Sequence, residues 1–222
     1  MLQAVIFDID GTLLDSVDQH AQAWKEAFDH FGFQFPLPDI RYQIGKGGDK
    51  LLDTFLTKEQ VDRQGKEIER YRGEVFEKQF AEALKPFPCV RELFEAIRAK
   101  GLKIGLATSG KKKEVNRYEK LLKIDGLTDA ITTKDDVENS KPDPDVLVIA
   151  RDKLGKLDAG DCVFIGDSPH DAAAAVKDGM EMICVLCGGF REEDLREAGA
   201  QQIYKDPEDL LKRWLPAVQI ES

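Results

Sequence analysis

Asp8 and Asp10 stand two residues apart in Asp8-Ile9-Asp10-Gly11-Thr12, directly after the apolar run Val5-Ile6-Phe7. Further along come Thr108-Ser109-Gly110, Lys141-Pro142 and Gly166-Asp167-Ser168-Pro169-His170-Asp171. Carboxylates converging from two strand ends repel one another, and a hard cation between them relieves that repulsion. Magnesium is the expected ion, because it prefers oxygen ligands and shares its shell with phosphates, whereas zinc would call for His or Cys. Lys141, the hydroxyls of Thr108 and Ser109, and the backbone N–H groups of Ser109 and Gly110 would then donate to the remaining oxygens of a phosphoryl group. That set describes a phosphoryl-transfer pocket.

Such groups must be carried to one place, and the pattern around them says how. Apolar segments at residues 5–7, 103–107, 130–133, 162–165, 182–186 and 202–204 read as strands. Amphipathic segments at 90–99, 112–122, 145–154, 171–177, 192–198 and 207–214 read as helices, several closed by a glycine such as Gly179 or Gly199. The alternation predicts an α/β fold: a doubly wound parallel sheet, with ligands held beyond the carboxyl ends of its strands. Each chemical group above falls at that rim.

Residues 15–85 break the rhythm. Helical periodicity runs through Val17, Trp24, Phe28 and Phe31, with Asp15 or Ser16 as the helix cap, and further helices are expected at 51–56 and 68–80. The expected organisation is a core of residues 1–14 and 86–222 with a helical cap of residues 15–85.

The 222 residues carry a net charge of -10, with 42% hydrophobic and 33% charged residues. A nucleic-acid partner is not expected, because its backbone would be repelled. No apolar run approaches the roughly 20 residues that span a bilayer, so neither a membrane span nor a signal peptide is expected. Four scattered cysteines suit the cytoplasm. Cys184 and Cys187 form a CxxC, but it lies in a strand-like run that would point the two thiols to opposite faces, and a second ligand pair for zinc is missing.

The four motifs, in this order, resemble those of the haloacid dehalogenase superfamily, in its magnesium-dependent phosphatase branch. The resemblance covers the whole chain, including a cap after the first strand, as in phosphoglycolate phosphatase and β-phosphoglucomutase relatives. It implies that Asp8 is the nucleophile and Asp10 the general acid and base. Metal would be held by the carboxylates of Asp8 and Asp167 and the backbone carbonyl of Asp10, with Asp171 orienting a metal-bound water or Lys141. Thr108 and Ser109 would hold phosphoryl oxygens, Lys141 would pair with Asp8, and Gly11 would permit the turn after the nucleophile. Retention of Asp10, where dehalogenases have an aromatic residue, implies phosphate esters.

The cap leaves alternatives open. Lys46 and Lys50, around Gly45-Lys46-Gly47-Gly48, are either substrate-facing or ordinary surface lysines. His20, one turn before Trp24, is either a packed hinge residue or a proton carrier of the kind sugar-phosphate relatives use. Lys111-Lys112-Lys113 reads as a solvated helix start. The expected activity is hydrolysis of a small phosphorylated metabolite by a monomer or homodimer. A phosphosugar mutase is the alternative that His20 keeps alive. A phospho-acceptor signalling domain, the third possibility, fits less well, because it would place its acceptor after a middle strand and carry no cap.

Overall fold

The computed structural model describes residues 1–219. Six strands form one sheet: β1 (Ala4–Phe7), β4 (Lys103–Ala107), β5 (Ala130–Thr132), β6 (Cys162–Gly166), β7 (Glu181–Val185) and β8 (Gln202–Tyr204). Their order is β5-β4-β1-β6-β7-β8, and every pairing is parallel. The order reverses beside β1, so the crevice beyond the ends of β1, β4 and β6 is where this topology places a ligand.

Alternation along β1 feeds two cores. Val5 and Phe7 join the cluster holding Leu93, Phe94 and Ile97 of α5 (Val90–Ala99), Val115 and Tyr118 of α6 (Lys112–Leu122), and Trp214. Ala4 and Ile6 join the opposite cluster, with Leu147 and Ala150 of α7 (Asp145–Lys153), Ala172 and Ala175 of α8 (Pro169–Asp178), and Leu195 of α9 (Glu192–Ala198). A strand buried on both faces has no polar side to show, which is why β1 reads as a continuous apolar run. Helix α8 closes at Gly179, whose φ of 77° is the left-handed conformation expected of a helix-ending glycine.

A third core belongs to the segment between β1 and α5. Val17, Ala21, Trp24 and Phe28 of α1 (Val17–His30) pack on Ile40 of α2 (Leu37–Tyr42), Leu51 and Leu52 of α3 (Gly48–Phe55), and Ile68 of α4 (Lys58–Gln79). Phe28 is fully buried among Trp24, Phe35 and Phe55, and its truncation to Ala would cost about 3–5 kcal/mol. Thr57 starts α4 with a reciprocal cap: Gln60 N donates to Thr57 Oγ1, and Thr57 N donates to Gln60 Oε1.

Several local expectations differ from what is found. The helical segment is entered and left through an antiparallel ribbon, β2 (Leu14–Asp15) on β3 (Lys85–Pro86), too short to leave a periodic signal. Helix α2 is a single proline-led helix of six residues, and α4 begins ten residues before the expected start because its first half is mostly polar. Ser16 occupies the N-cap of α1 without bonding a helix N–H; its hydroxyl goes to Asp10 instead. The segment at 207–214 is helical, but passes from α10 (Pro207–Asp209) into a π-helical turn, Leu210–Trp214. Cys187 lies past the end of β7, so it is not a strand residue; both it and Cys184 are free thiols.

Among the described residues, no helix is long and apolar enough to cross a membrane.

Candidate active site

Asp8 extends β1 by one residue, its N–H donating to Ile165 O at 2.9 Å, and its carboxylate is almost wholly buried. Lys141 reaches it from the segment before α7: Nζ donates to Asp8 Oδ1 at 2.5 Å and to Asp171 Oδ1 at 2.7 Å. Lys141 is only 1% exposed. Burial alone would lower the pKa of this ammonium, but Asp171 and Asp8 outweigh it and raise the pKa above the usual lysine value.

Asp171 is aimed by its own helix. Ser168 N and Ser168 Oγ donate to Asp171 Oδ2 at 3.1 and 2.6 Å, and Asp171 N donates back to Ser168 Oγ at 3.2 Å. This capping box, with Pro169 opening the helix, leaves Asp171 Oδ1 to Lys141. Asp167 follows β6; its Oδ1 accepts from Thr12 Oγ1 at 3.1 Å, while Oδ2 is buried with no partner among the described residues.

Ligand atoms of Asp8, Asp167 and Asp171 lie within 4.8 Å of one another, all three residues being buried. Three carboxylates around one ammonium leave a deficit of positive charge. Burial pushes Asp8 up to about 7, with Asp171 and Asp10 adding to the rise and Lys141 opposing it. Burial, then Asp171 and Asp8, drive Asp167 well above the ordinary carboxylate value. An all-oxygen donor set with an orphaned carboxylate oxygen fits a hard divalent cation.

Asp10 points elsewhere. Its Oδ1 accepts from Ser16 Oγ at 2.6 Å and faces His20 Nε2 at 3.0 Å. The His20 ring stacks on Phe76 with centroids 4.0 Å apart. Burial would raise the Asp10 pKa, but His20, Ser16 and Arg72 together bring it below the ordinary value.

Asp8, Asp10, Thr108, Ser109 and Gly110 share one cavity with His20, Trp24, Lys46, Arg72 and Glu114 of the surrounding elements. Its volume is about 40 Å³. The helical segment sits down on the core here: Ser109 Oγ donates to Gly45 O at 3.2 Å, Ser140 Oγ to Asp49 Oδ1 at 2.8 Å, and Lys134 Nζ to Glu69 Oε1 at 2.9 Å.

The structure bears on three groups of expected site residues. Gly110 N donates to Thr108 Oγ1 at 3.0 Å, so this N–H is spent closing the turn rather than offered to a ligand. Gly11 N donates to Leu14 O at 2.8 Å, so Gly11 makes the expected turn after Asp8 and its N–H is not left for a phosphate oxygen. Its φ of 84° and the 2.2 Å separation of a built Cβ from Asp167 Oδ2 explain why glycine stands there. Lys50 pairs with Asp143 at 2.9 Å and does not line the cavity, whereas Lys46 does, with Nζ 3.1 Å from Thr54 Oγ1.

The sequence reading missed Arg72 and Glu114. Arg72 had a signal: it falls at i+4 from buried Ile68 and i-4 from buried Phe76, a cation inside the apolar stripe of α4.

Comparison with known proteins adds independent findings. The family described as haloacid dehalogenase-like hydrolase matches residues 5–185. The phosphorylated carbohydrates phosphatase of Thermotoga maritima is 29% identical over 215 residues, covering 95% of this chain and 97% of that protein. The phosphoglycolate phosphatase of Escherichia coli K12 is 30% identical over 237 residues, covering 95% and 91%. The crystal structure of a hydrolase from Pseudomonas syringae superposes with a TM-score of 0.88 at 33% identity, covering 98% and 100%.

Proposed function

The chain belongs to the haloacid dehalogenase-like hydrolase family, and on that premise we propose that it is a phosphatase of small phosphate esters that works through an aspartyl phosphate on Asp8. The observation that carries the reading is Lys141, buried and bonded to both Asp8 and Asp171 beside Asp167. A cation held there at such desolvation cost serves a site that must accept further negative charge.

In the first step a carboxylate oxygen of Asp8 attacks phosphorus, the bond from phosphorus to the ester oxygen breaks, and Asp10 gives that oxygen its proton. In the second, water attacks the same phosphorus, Asp10 takes the water's proton, and the bond to Asp8 breaks, releasing inorganic phosphate. His20, Ser16 and Arg72 favour ionised Asp10 in the free protein, while a bound phosphate dianion acts in the opposite direction and favours its protonation. Thr108, which lines the same cavity, would steady the transferring oxygens. Residues 15–85 act as a cap that keeps bulk water out.

Magnesium fits the acidic cluster; the carboxylates of Asp8 and Asp167 and the backbone carbonyl of Asp10 would hold it, with Asp171 fixing Lys141. When bound it would polarise the phosphoryl oxygens and offset repulsion between anionic nucleophile and anionic ester. The four free thiols accord with a cytoplasmic enzyme.

The mutase alternative rested on His20, whose contacts to Asp10 and Phe76 suit either acceptor, water or sugar, and so do not favour it. The test is phosphate release across a panel of phosphorylated metabolites with magnesium, on wild type and Asp8→Asn. Release that the variant loses is expected; release that survives Asp8→Asn would overturn the nucleophile, and no release from any ester would overturn the phosphatase.

A further inference from the structure

Arg72 reaches the cavity from α4, and its buried hydrogen-bonding groups are unmet. Nε and Nη1 are buried, and neither has a hydrogen-bond partner among the described residues. The guanidinium lies over the Trp24 ring, 5.1 Å from its centroid, a cation–π contact that helps hold it there. Glu114, the nearest carboxylate, stays 3.9 Å away, too far for a hydrogen bond, and its Oε2 is already occupied by the backbone N–H of Lys111 at 3.1 Å. A permanently charged fork held in place without acceptors is a binding group waiting for one.

On the phosphatase reading, Lys141 and the metal cluster already serve the transferring phosphate, so Arg72 is free for the other end of the ester. Lys46 lines the same cavity, its Nζ donating to Thr54 Oγ1 at 3.1 Å, and adds positive charge on that side. A neutral polyol would need acceptors as well as donors there, and Glu114 has one oxygen left to offer. The cavity, about 40 Å³, is also far below the roughly 300–1,000 Å³ of pockets for drug-sized ligands. We propose that Arg72 is a specificity-determining residue that binds a second oxyanion on a compact leaving group, so that the preferred substrates are short phosphorylated carboxylic acids rather than uncharged alcohol phosphates.

This rests on the phosphatase reading, and a matched pair of esters separates the two. 2-Phosphoglycolate and 2-hydroxyethyl phosphate have the same length and differ in carrying a carboxylate or a hydroxyl. Wild type is expected to favour the carboxylate in kcat/KM by roughly 10- to 100-fold, the range for a charged hydrogen-bonded contact. Arg72→Gln should depress both substrates, since Arg72 also acts on Asp10, but the carboxylate far more, bringing the ratio near one. Arg72→Lys keeps the charge without the fork and should give an intermediate ratio; it serves if Arg72→Gln does not fold. A three-carbon bisphosphate in the same assay tells carboxylate from phosphate as the oxyanion. Equal wild-type rates for the matched pair, or a ratio that survives both variants, would overturn the assignment while leaving the phosphatase intact. Failure to release phosphate from any ester would overturn the phosphatase itself.

Discussion

Lys141 Nζ stands 2.5 Å from Asp8 Oδ1, and both side chains are buried. The pair is embedded in surplus negative charge, because Asp171 shares the same ammonium and Asp167 lies within the same cluster. Removing the cation would leave carboxylates facing one another in a dry site.

Lys141→Met should therefore abolish phosphate release and destabilise the metal-free fold by about 3–5 kcal/mol at pH 8, the cost of breaking a buried pair from one side. The loss should shrink at pH 5, where protonation neutralises part of the cluster. Urea unfolding at both pH values measures it. An equal loss at both would mean that packing, not charge, is what Lys141 provides.

How much of this was legible follows from range. Asp8, Lys141, Asp167 and Asp171 were readable because each sits at a fixed offset from a strand end or helix start, and the sheet brings all such ends to one rim. The partition of hydrogen bonds was not. Nothing in Thr108-Ser109-Gly110 says that the Gly110 N–H turns back to Thr108 Oγ1, or in Ser16 that it serves Asp10 rather than its own helix. Lys46 and Lys50 look alike in sequence, yet Lys46, before the start of α3, lines the cavity and Lys50, in its first turn, pairs with Asp143. Those outcomes depend on how the helical segment seats on the sheet, which no local pattern encodes.

The pH dependence of the metal-free protein has a definite sign. Asp8 titrates near 7 when folded and near 3.8 when unfolded, chiefly through burial. Between those values the folded state holds a proton that the unfolded state has lost, so stability falls as pH rises through the window and levels off above it. Thermal melts in chelator from pH 4.5 to 8 should show that decline for wild type and a shallower one for Asp8→Asn. Parallel curves would contradict the shift.

Gly188 tests the proposed metal site without changing any of its carboxylate residues. A Cβ there would stand 1.8 Å from Asp167 Oδ2 and 2.5 Å from its Cγ, so Gly188→Ala must push the carboxylate aside. Millimolar magnesium should raise the melting temperature of wild type, since a ligand that binds only the folded state stabilises it by mass action. The variant should lose most of that rise and its activity together. An undiminished rise would show that Asp167 is not needed to hold the ion.

His20 divides packing from chemistry. It stacks on Phe76 and faces Asp10 Oδ1, so His20→Ala removes an aromatic contact and one of the groups that keep Asp10 ionised. The stacking contact is worth about 0.5–1.5 kcal/mol beyond burial. His20→Phe should restore the stack, and with it stability, but not the polar contact. If His20 positions Asp10, both variants should lower kcat by about 10- to 100-fold, within the range for general acid and base catalysis, with KM little changed. Both should also shift the acid limb of the kcat profile upward, because Asp10 loses a partner that lowers its pKa. Recovery of full kcat in His20→Phe would reduce His20 to a packing residue.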